Sequence, residues 1–486
     1  PDISLILMTI REQAISGLKW TAGGKLAAQA ITWAITLIVI RLLHPEDYGL
    51  LAMATVFLAF MFMLSEAGLA PALIQKQELN KTALQQVFGI VIVINLTLMG
   101  LLNLLAPSIA TFFNDERLIS ILNVLSLQFL TVIAITVPQV LLYRDLKFKY
   151  LSIIDFIAAI AGSSLTLFLA SSNFGVWSLI YGNLLTGLCK AIAFNVLTPF
   201  YLFPKFSLTG MRSFLAFGGN ITLSRLLWFF FTQIDVVIVG KLLGKEMLGY
   251  YSVAMHLASL PVQRISSIIG QVAFPVFSKI QDDQLQFRNF VLKSIRILSL
   301  IAFPILWGIS STANELVLLF LGDKWANAVL PLQLLTLVMP FRMIATFLPS
   351  ATDAIGHPEI GMKNVLLAAI IMPISLLIGA QWGIAGVAYV WVTVFPFILF
   401  INYHRSLSIM GLNLNDLLRI LAPVMVTSIG MYGIVWGIDL LLGNDINKLI
   451  KLITMIIAGA LVYWGLTLKL NKTGYSELIN LFRKRN

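Results

Sequence analysis

Eight ionisable side chains stand inside long apolar runs of this sequence: Lys25, Lys190, Arg225, Arg264 and Arg342 against Glu66, Asp155 and Asp235. A charge at bilayer depth costs about 2.5–3.5 kcal/mol on insertion scales, so a chain that keeps one has a use for it. Five cations against three anions leave a positive surplus, and a pocket lined that way draws an anion. Arginine suits this work, because its planar fork of donors matches phosphate oxygens and stays charged when buried. Arg225 lies about 16 Å along its helix at 1.5 Å per residue, too deep to reach the interface by stretching. Arg264 follows Pro261 near the middle of its span, Arg342 follows Pro340, and Lys25 sits about two turns from a helix end. Lys190 reads differently, as the partner of Asp155 in an interhelical ion pair. Glu66 and Asp235 are the candidates to carry a coupling ion, either a proton or sodium.

Those groups need elements to hold them, and composition says what kind. The chain has 486 residues, 59% hydrophobic and 11% charged, with a mean hydropathy of +0.91. A soluble protein carries about 25% charged residues. The chain is therefore an all-α, polytopic membrane protein. Its single cysteine, Cys189, excludes an internal disulfide framework, and four scattered histidines offer no metal-ligand spacing. There is no P-loop, GxSxG elbow or HExxH, so neither a catalytic site nor a resident cofactor is expected. No cleavable signal peptide is expected either, since the run after Arg11 and Lys19 is too long for a signal's apolar region. Residues 1–7 stand apart from the first apolar run, with Met8 as a natural start.

One stretch occurs twice. RLLHPEDYGLLAMA, from Arg41 to Ala54, aligns without a gap on KLLGKEMLGYYSVA, from Lys241 to Ala254. Leu42, Leu43, Glu46, Gly49 and Ala54 meet Leu242, Leu243, Glu246, Gly249 and Ala254, and the same register sets Lys25 on Arg225. Each copy is an apolar helix, a short charged turn and a second apolar helix. A repeated hairpin with a deep cation in each copy is the pattern of a two-lobed transporter.

With about 20 apolar residues per crossing, the sequence divides into about 14 spans. Two pseudo-symmetric lobes of six spans are expected at 1–205 and 206–410. Two further spans and a tail occupy 411–486. Lysine and arginine favour the side that holds the N-terminus by about three to one, which places both termini in the cytoplasm. This asymmetry accounts for the +11 net charge, so no nucleic-acid partner is expected. Prolines inside several spans, Pro138, Pro304 and Pro340 among them, imply bent helices whose freed carbonyls find partners on neighbours. Trp20, Trp177, Trp325 and Trp382 fit an interfacial aromatic belt. The tail TGYSELINLFRKRN is amphipathic and basic, and is expected along the inner leaflet.

Several stretches resemble, in order, the polysaccharide-transporter family of Wzx-type repeat-unit flippases. This family belongs to the multidrug/oligosaccharidyl-lipid/polysaccharide flippase superfamily. They include RLLHPEDYGL at 41–50, SEAGLAPALIQK at 65–76, LLYRDLKFKYL at 141–151, and DVVIVGKLLG at 235–244. LGYYSVAMHLASLP at 248–261, FPVFSKIQDD at 274–283 and LGDKWANAVLPLQLL at 321–335 complete the series. The resemblance implies a monomeric flippase in the bacterial plasma (inner) membrane. It would turn over an undecaprenyl-pyrophosphate-linked oligosaccharide by alternating access, for O-antigen, capsule or exopolysaccharide. Lys25, Arg225, Arg264 and Arg342 would then hold the pyrophosphate. Polysaccharide polymerase or assembly proteins would be its partners. Two rivals stand beside this reading. A cation-coupled drug or metabolite exporter of the same superfamily would want an acidic cavity, and the basic surplus argues against it. A lipid II flippase would share the chemistry and differ in cargo.

Overall fold

The structure is a computed structural model and describes residues 29, 31–66, 81–199, 203–207, 212–443 and 446–483. Among these the secondary structure is helical throughout, with no β-strand. The helices are α1 (Ile31–Leu42), α2 (Pro45–Glu66), α3 (Lys81–Phe113), α4 (Arg117–Arg144), α5 (Phe148–Ser171) and α6 (Val176–Leu197). Next come α7 (212–243) and α8 (245–280), separated where Gly244 takes φ +81°, a conformation that glycine adopts freely. The rest are α9 (Gln284–Ser311), α10 (Val329–Ala354), α11 (Pro358–Gly379), α12 (Gly383–Ile409), α13 (Leu414–Leu442), α14 (Lys448–Leu470) and α15 (Lys472–Arg483). Among the described residues, ten helical stretches are long and apolar enough to cross a bilayer. One of them, Pro358–Ile409, breaks into α11 and α12 at Ala380–Trp382. The N-terminal part of the first expected span, residues 18–28, falls outside the described residues.

Helix ends obey local chemistry. Asp283 caps α9 by accepting from the Gln286 amide, and Asn447 caps α14 by accepting from Leu449. Asn413 and Asp416 form a reciprocal capping box at the start of α13. Pro358 opens α11, where its missing amide costs nothing.

The chain divides into two compact units, Pro1–Phe229 with Gly244–Glu246, and Phe230–Leu243 with Met247–Asn486. In the first, α5 packs on α6, and α4 packs on both α6 and α3. The α5–α6 seam is built from two Gly-x-x-x-Thr turns, Gly162 with Thr166 and Gly182 with Thr186. A Cβ on Gly162 would lie 2.7 Å from the Gly182 carbonyl oxygen and collide with Thr186. One on Gly182 would lie 2.9 Å from the Gly162 oxygen and collide with Thr166. Only glycine lets these backbones approach so closely. Gly49, one of the repeated glycines, likewise leaves room for the Lys245 carbonyl.

In the second unit α10 packs against α9 and α12, and α13 packs against α9 and α14. The last two spans belong to this unit. Lys451 on α14 is buried against Glu315 at 3.1 Å and also pairs with Asp439 of α13. The amphipathic α15 reaches α9 through Arg296 and Glu477, 2.6 Å apart.

Two helix-interior prolines show the expected repair. Pro138 leaves the Ala134 carbonyl without an amide, and Asn195 Nδ2 from α6 donates to it at 2.8 Å. Pro304 frees the Leu300 carbonyl, which accepts from Tyr463 Oη of α14 at 3.0 Å. One aromatic departs from the belt expectation. Trp325, within the 3-10 turn Asp323–Ala328, is fully buried and edge-on to Tyr250, so it packs the core and does not face headgroups. Trp382 is exposed, as a belt residue should be.

Candidate functional site

A buried polar cluster lies in the second unit, drawn from four helices. Asp235 on α7 is 3% exposed, a depth at which a carboxyl group must find hydrogen-bond partners. It finds two: Tyr251 Oη of α8 donates to Oδ2 at 2.6 Å, and the Val236 amide donates to Oδ1 at 2.8 Å. Trp391 Nε1 of α12 donates to Tyr251 Oη at 2.9 Å, which completes a relay of three buried side chains. Arg342 of α10 lies over the Trp391 ring at 5.2 Å, a cation–π arrangement. Trp391 and Tyr251 link it to Asp235. Phe395 and Phe231 close the apolar side of the ring. Among the described residues Arg342 has no hydrogen-bond or ion-pair partner. Its donors are therefore open.

Local sequence explains the placement. Pro340 stands inside α10 just before Arg342, and Trp307 Nε1 donates to the Leu337 carbonyl one turn earlier at 3.0 Å. The turn at Gly244 folds α8 back along α7, so Asp235 and Tyr251, at similar distances from it, come level.

The remaining sequence candidates lie apart from this cluster or outside the described residues. Arg264 is exposed on α8, two residues before Ser266, whose hydroxyl meets Thr346 of α10 at 3.3 Å. Lys190 and Asp155 form the expected pair at 2.8 Å, joining α6 to α5. Lys25 lies outside the described residues, as do the side chains of Arg225 and Glu66, although both backbones are helical. The structure thus brings Arg342 and Asp235 together, which the sequence reading had given separate roles. Sequence reasoning missed Tyr251 and Trp391. The near-symmetric spacing about the 244 turn could have signalled Tyr251. Nothing local marks Trp391 among ten tryptophans.

Two further charge clusters went unread. In the first unit, Asp115 accepts from Arg117 at 2.8 Å and from Lys245 at 2.9 Å, with Glu46 3.6 Å from Lys245. The Arg117 guanidinium, assisted by Lys245, holds the Asp115 carboxyl well below the ordinary carboxylate range against the opposing effect of burial. The second is the Lys451 group of the second unit. A mostly apolar cavity of about 520 Å³ between α11 and α12, lined by Ser375, Trp382, Tyr389 and Thr393, holds none of the predicted residues. Among the described residues no three His, Cys, Asp or Glu side chains are grouped to hold a metal ion.

Comparison with known proteins fits this architecture. The sequence profile described as "Polysaccharide biosynthesis protein" matches residues 38–330. The lipopolysaccharide biosynthesis protein WzxC of Escherichia coli K12 is 27% identical over 387 residues, 78% of each chain. The teichuronic acid biosynthesis protein TuaB of Bacillus subtilis is 25% identical over 479 residues, 97% of this chain and 98% of its own. Among solved structures, lipid II flippase MurJ in an inward closed conformation superposes with a TM-score of 0.71 at 17% identity. That match covers 94% of this chain and 99% of the other, a likeness of fold. On the length of the profile match and the order of its motifs, this chain belongs to the polysaccharide biosynthesis protein family, within the multidrug/oligosaccharidyl-lipid/polysaccharide flippase superfamily.

Proposed function

We propose that the chain moves an undecaprenyl-pyrophosphate-linked oligosaccharide from the inner to the outer leaflet of a bacterial plasma membrane, supplying surface polysaccharide assembly. Arg342 carries the reading. A guanidinium inside a membrane-spanning helix, resting on an indole face and with its donors open, suits the oxygens of a diphosphate. Arg264 supports it, since an exposed cation at mid-span belongs beside water, not hydrocarbon. The lipid tail stays in the bilayer while the headgroup is carried, and the work is transport without covalent change. Alternating access exposes the headgroup to one face at a time. Both termini lie in the cytoplasm on this reading, and Asp235 is the group within reach of Arg342 that can take up a coupling proton or sodium ion. Lys25 and Arg225 complete the cationic set by their register in the repeat. The names of WzxC and TuaB support polysaccharide as cargo in preference to lipid II or a cationic drug.

The test is deletion of the chain in its host, with assay of lipid-linked glycans on the cytoplasmic leaflet. Accumulation of one glycan there, with loss of the matching surface polymer, is the expected result. Arrest of cell-wall synthesis would point to lipid II. Unchanged glycans with increased sensitivity to cationic dyes would point to an exporter.

A further inference from the structure

The stop of α4 sets a leucine where its geometry asks for glycine. The Leu146 amide donates to the Tyr143 carbonyl at 3.1 Å and the Lys147 amide to the Leu142 carbonyl at 3.0 Å, the paired bonds of a Schellman motif. Such a stop needs one residue in the left-handed region, which glycine enters without strain. Here that residue is Leu146, at φ +53°. Among the described residues, the other two side-chain-bearing residues with positive φ are Asn114 and Asn173, a residue type that tolerates this region. The Leu146 side chain is 59% exposed, so packing within the chain does not repay its strain. Its surroundings point to what does. Tyr143 and Phe148, edge to face at 6.4 Å, are exposed, as is Tyr150. Between Tyr143 and Tyr150, Arg144, Lys147 and Lys149 stand against Asp145 alone.

A second segment repeats this chemistry at the same end of the first unit. The chain runs back along α3 in α4, so the start of α3, the end of α4 and the start of α5 lie at one end. The stretch 203–207 docks on the start of α3, where the Lys205 amide donates to the Gln85 carbonyl at 3.0 Å. A Cβ on Gly89 would lie 2.5 Å from the Lys205 carbonyl oxygen, so glycine is what lets the stretch seat. Although the backbone is pinned, Phe203 is 84% and Phe206 69% exposed, with the exposed Lys205 between them. A fixed backbone that presents apolar rings and a cation suits the boundary of a bilayer, where rings enter the acyl edge and ammonium groups meet phosphate.

Resting on the orientation in the proposed function above, which sets this end at the cytoplasmic face, we infer that the two segments form a platform that binds anionic phospholipid headgroups of the inner leaflet. Leu146, Phe203 and Phe206 enter the hydrocarbon edge, and Lys147 and Lys205 lie at the phosphates. Lys147 keeps its pair with Asp145 at 2.9 Å yet is half exposed, so its remaining donors serve the lipid. Charge complementarity favours an anionic headgroup over a zwitterionic one. Leu146 stands two residues from α4 and two from α5, too short a reach to leave the headgroup layer for a soluble partner.

The test uses the full-length chain with Cys189→Ser and a nitroxide attached at Leu146→Cys or, in a separate protein, at Phe203→Cys. Each is placed in nanodiscs of phosphatidylglycerol or of phosphatidylcholine. Power saturation then compares collision with oxygen, which concentrates in hydrocarbon, against collision with a nickel chelate, which stays in water. In phosphatidylglycerol both labels should meet oxygen in preference to nickel, and in phosphatidylcholine nickel should gain. Phosphatidylglycerol titrated into the detergent-purified protein should immobilise each label. Lys147→Gln, read at position 146, and Lys205→Gln, read at position 203, should each raise the half-saturating lipid about fivefold. Leu146→Gly should melt no lower than wild type in detergent, because glycine relieves the strain, yet keep less phosphatidylglycerol through delipidation.

Labels open to nickel in phosphatidylglycerol would overturn the platform and give this surface to a soluble protein partner. Equal half-saturation by the two lipids would overturn it too, as would a Leu146→Gly chain that melts several degrees lower. Nanodiscs expose both faces and no step reads transport, so failure of the platform and failure of the flippase reading are separate results. The two labels sit in separate proteins, so one that fails to fold does not protect the inference.

Discussion

The side-chain amide of Asn195 donates to the carbonyl oxygen of Ala134 at 2.8 Å, across the packed faces of α6 and α4. That carbonyl lost its helical partner to Pro138, one turn on. The proline and the asparagine are therefore coupled. Asn195→Leu should cost about 1–2 kcal/mol by leaving a buried carbonyl unpaired. In a Pro138→Ala background, where the helix amide returns, the same change should cost much less. Melting of the four detergent-purified proteins gives the coupling. Equal effects of Asn195→Leu in both backgrounds would show the repair to be incidental.

The Lys451 group tests how the last two helices are fixed. Lys451 is buried between Glu315 and Asp439, and removing it strands a carboxylate that is itself 3% exposed. Lys451→Met should lower stability by about 3 kcal/mol, because the cost is that of an uncompensated buried charge. Adding Glu315→Gln and Asp439→Asn to Lys451→Met should restore most of it, since a neutral cluster has no charge left to desolvate. A triple variant less stable than the single one would refute this.

Asp115 supplies a pH signature. Its folded-state carboxyl is held below its unfolded value by Arg117 first and Lys245 after it. The resulting stabilisation is complete above about pH 4 and is withdrawn as pH falls towards the depressed value. The melting-temperature gap between wild type and Asp115→Asn should be constant from neutral pH to about pH 5 and narrow below it. A gap that widens on acidification would contradict the ion-pair account. Lys245→Met should reproduce part of the loss.

Much of this architecture was legible in the sequence, for identifiable reasons. Bilayer thickness imposes a length on every apolar run, so the helices declare themselves. The repeated hairpin is visible because glycine and charge recur in it at fixed places, and Gly49 on α2 leaves room for the Lys245 carbonyl. Lys190 and Asp155 could be paired because their spans are adjacent in the chain, which leaves few arrangements for two opposite charges. Asp235 and Arg342 could not, since more than a hundred residues separate them and only the packing of α7, α10 and α12 brings them together. Trp325 was misjudged for a related reason. A tryptophan at a span's end suits either the interface or a buried turn, and only the 3-10 turn Asp323–Ala328 decides between them.

Export by variants at matched abundance tests the central claim most directly. Cells whose chromosomal copy is replaced by Arg264→Ala or by Arg342→Gln are scored for surface polysaccharide, with membrane abundance of the protein measured in parallel. Each variant should export less than about a tenth of the wild-type polymer, the loss expected when a charge-assisted contact to phosphate is removed. Wild-type export from both, at equal abundance, would contradict the account.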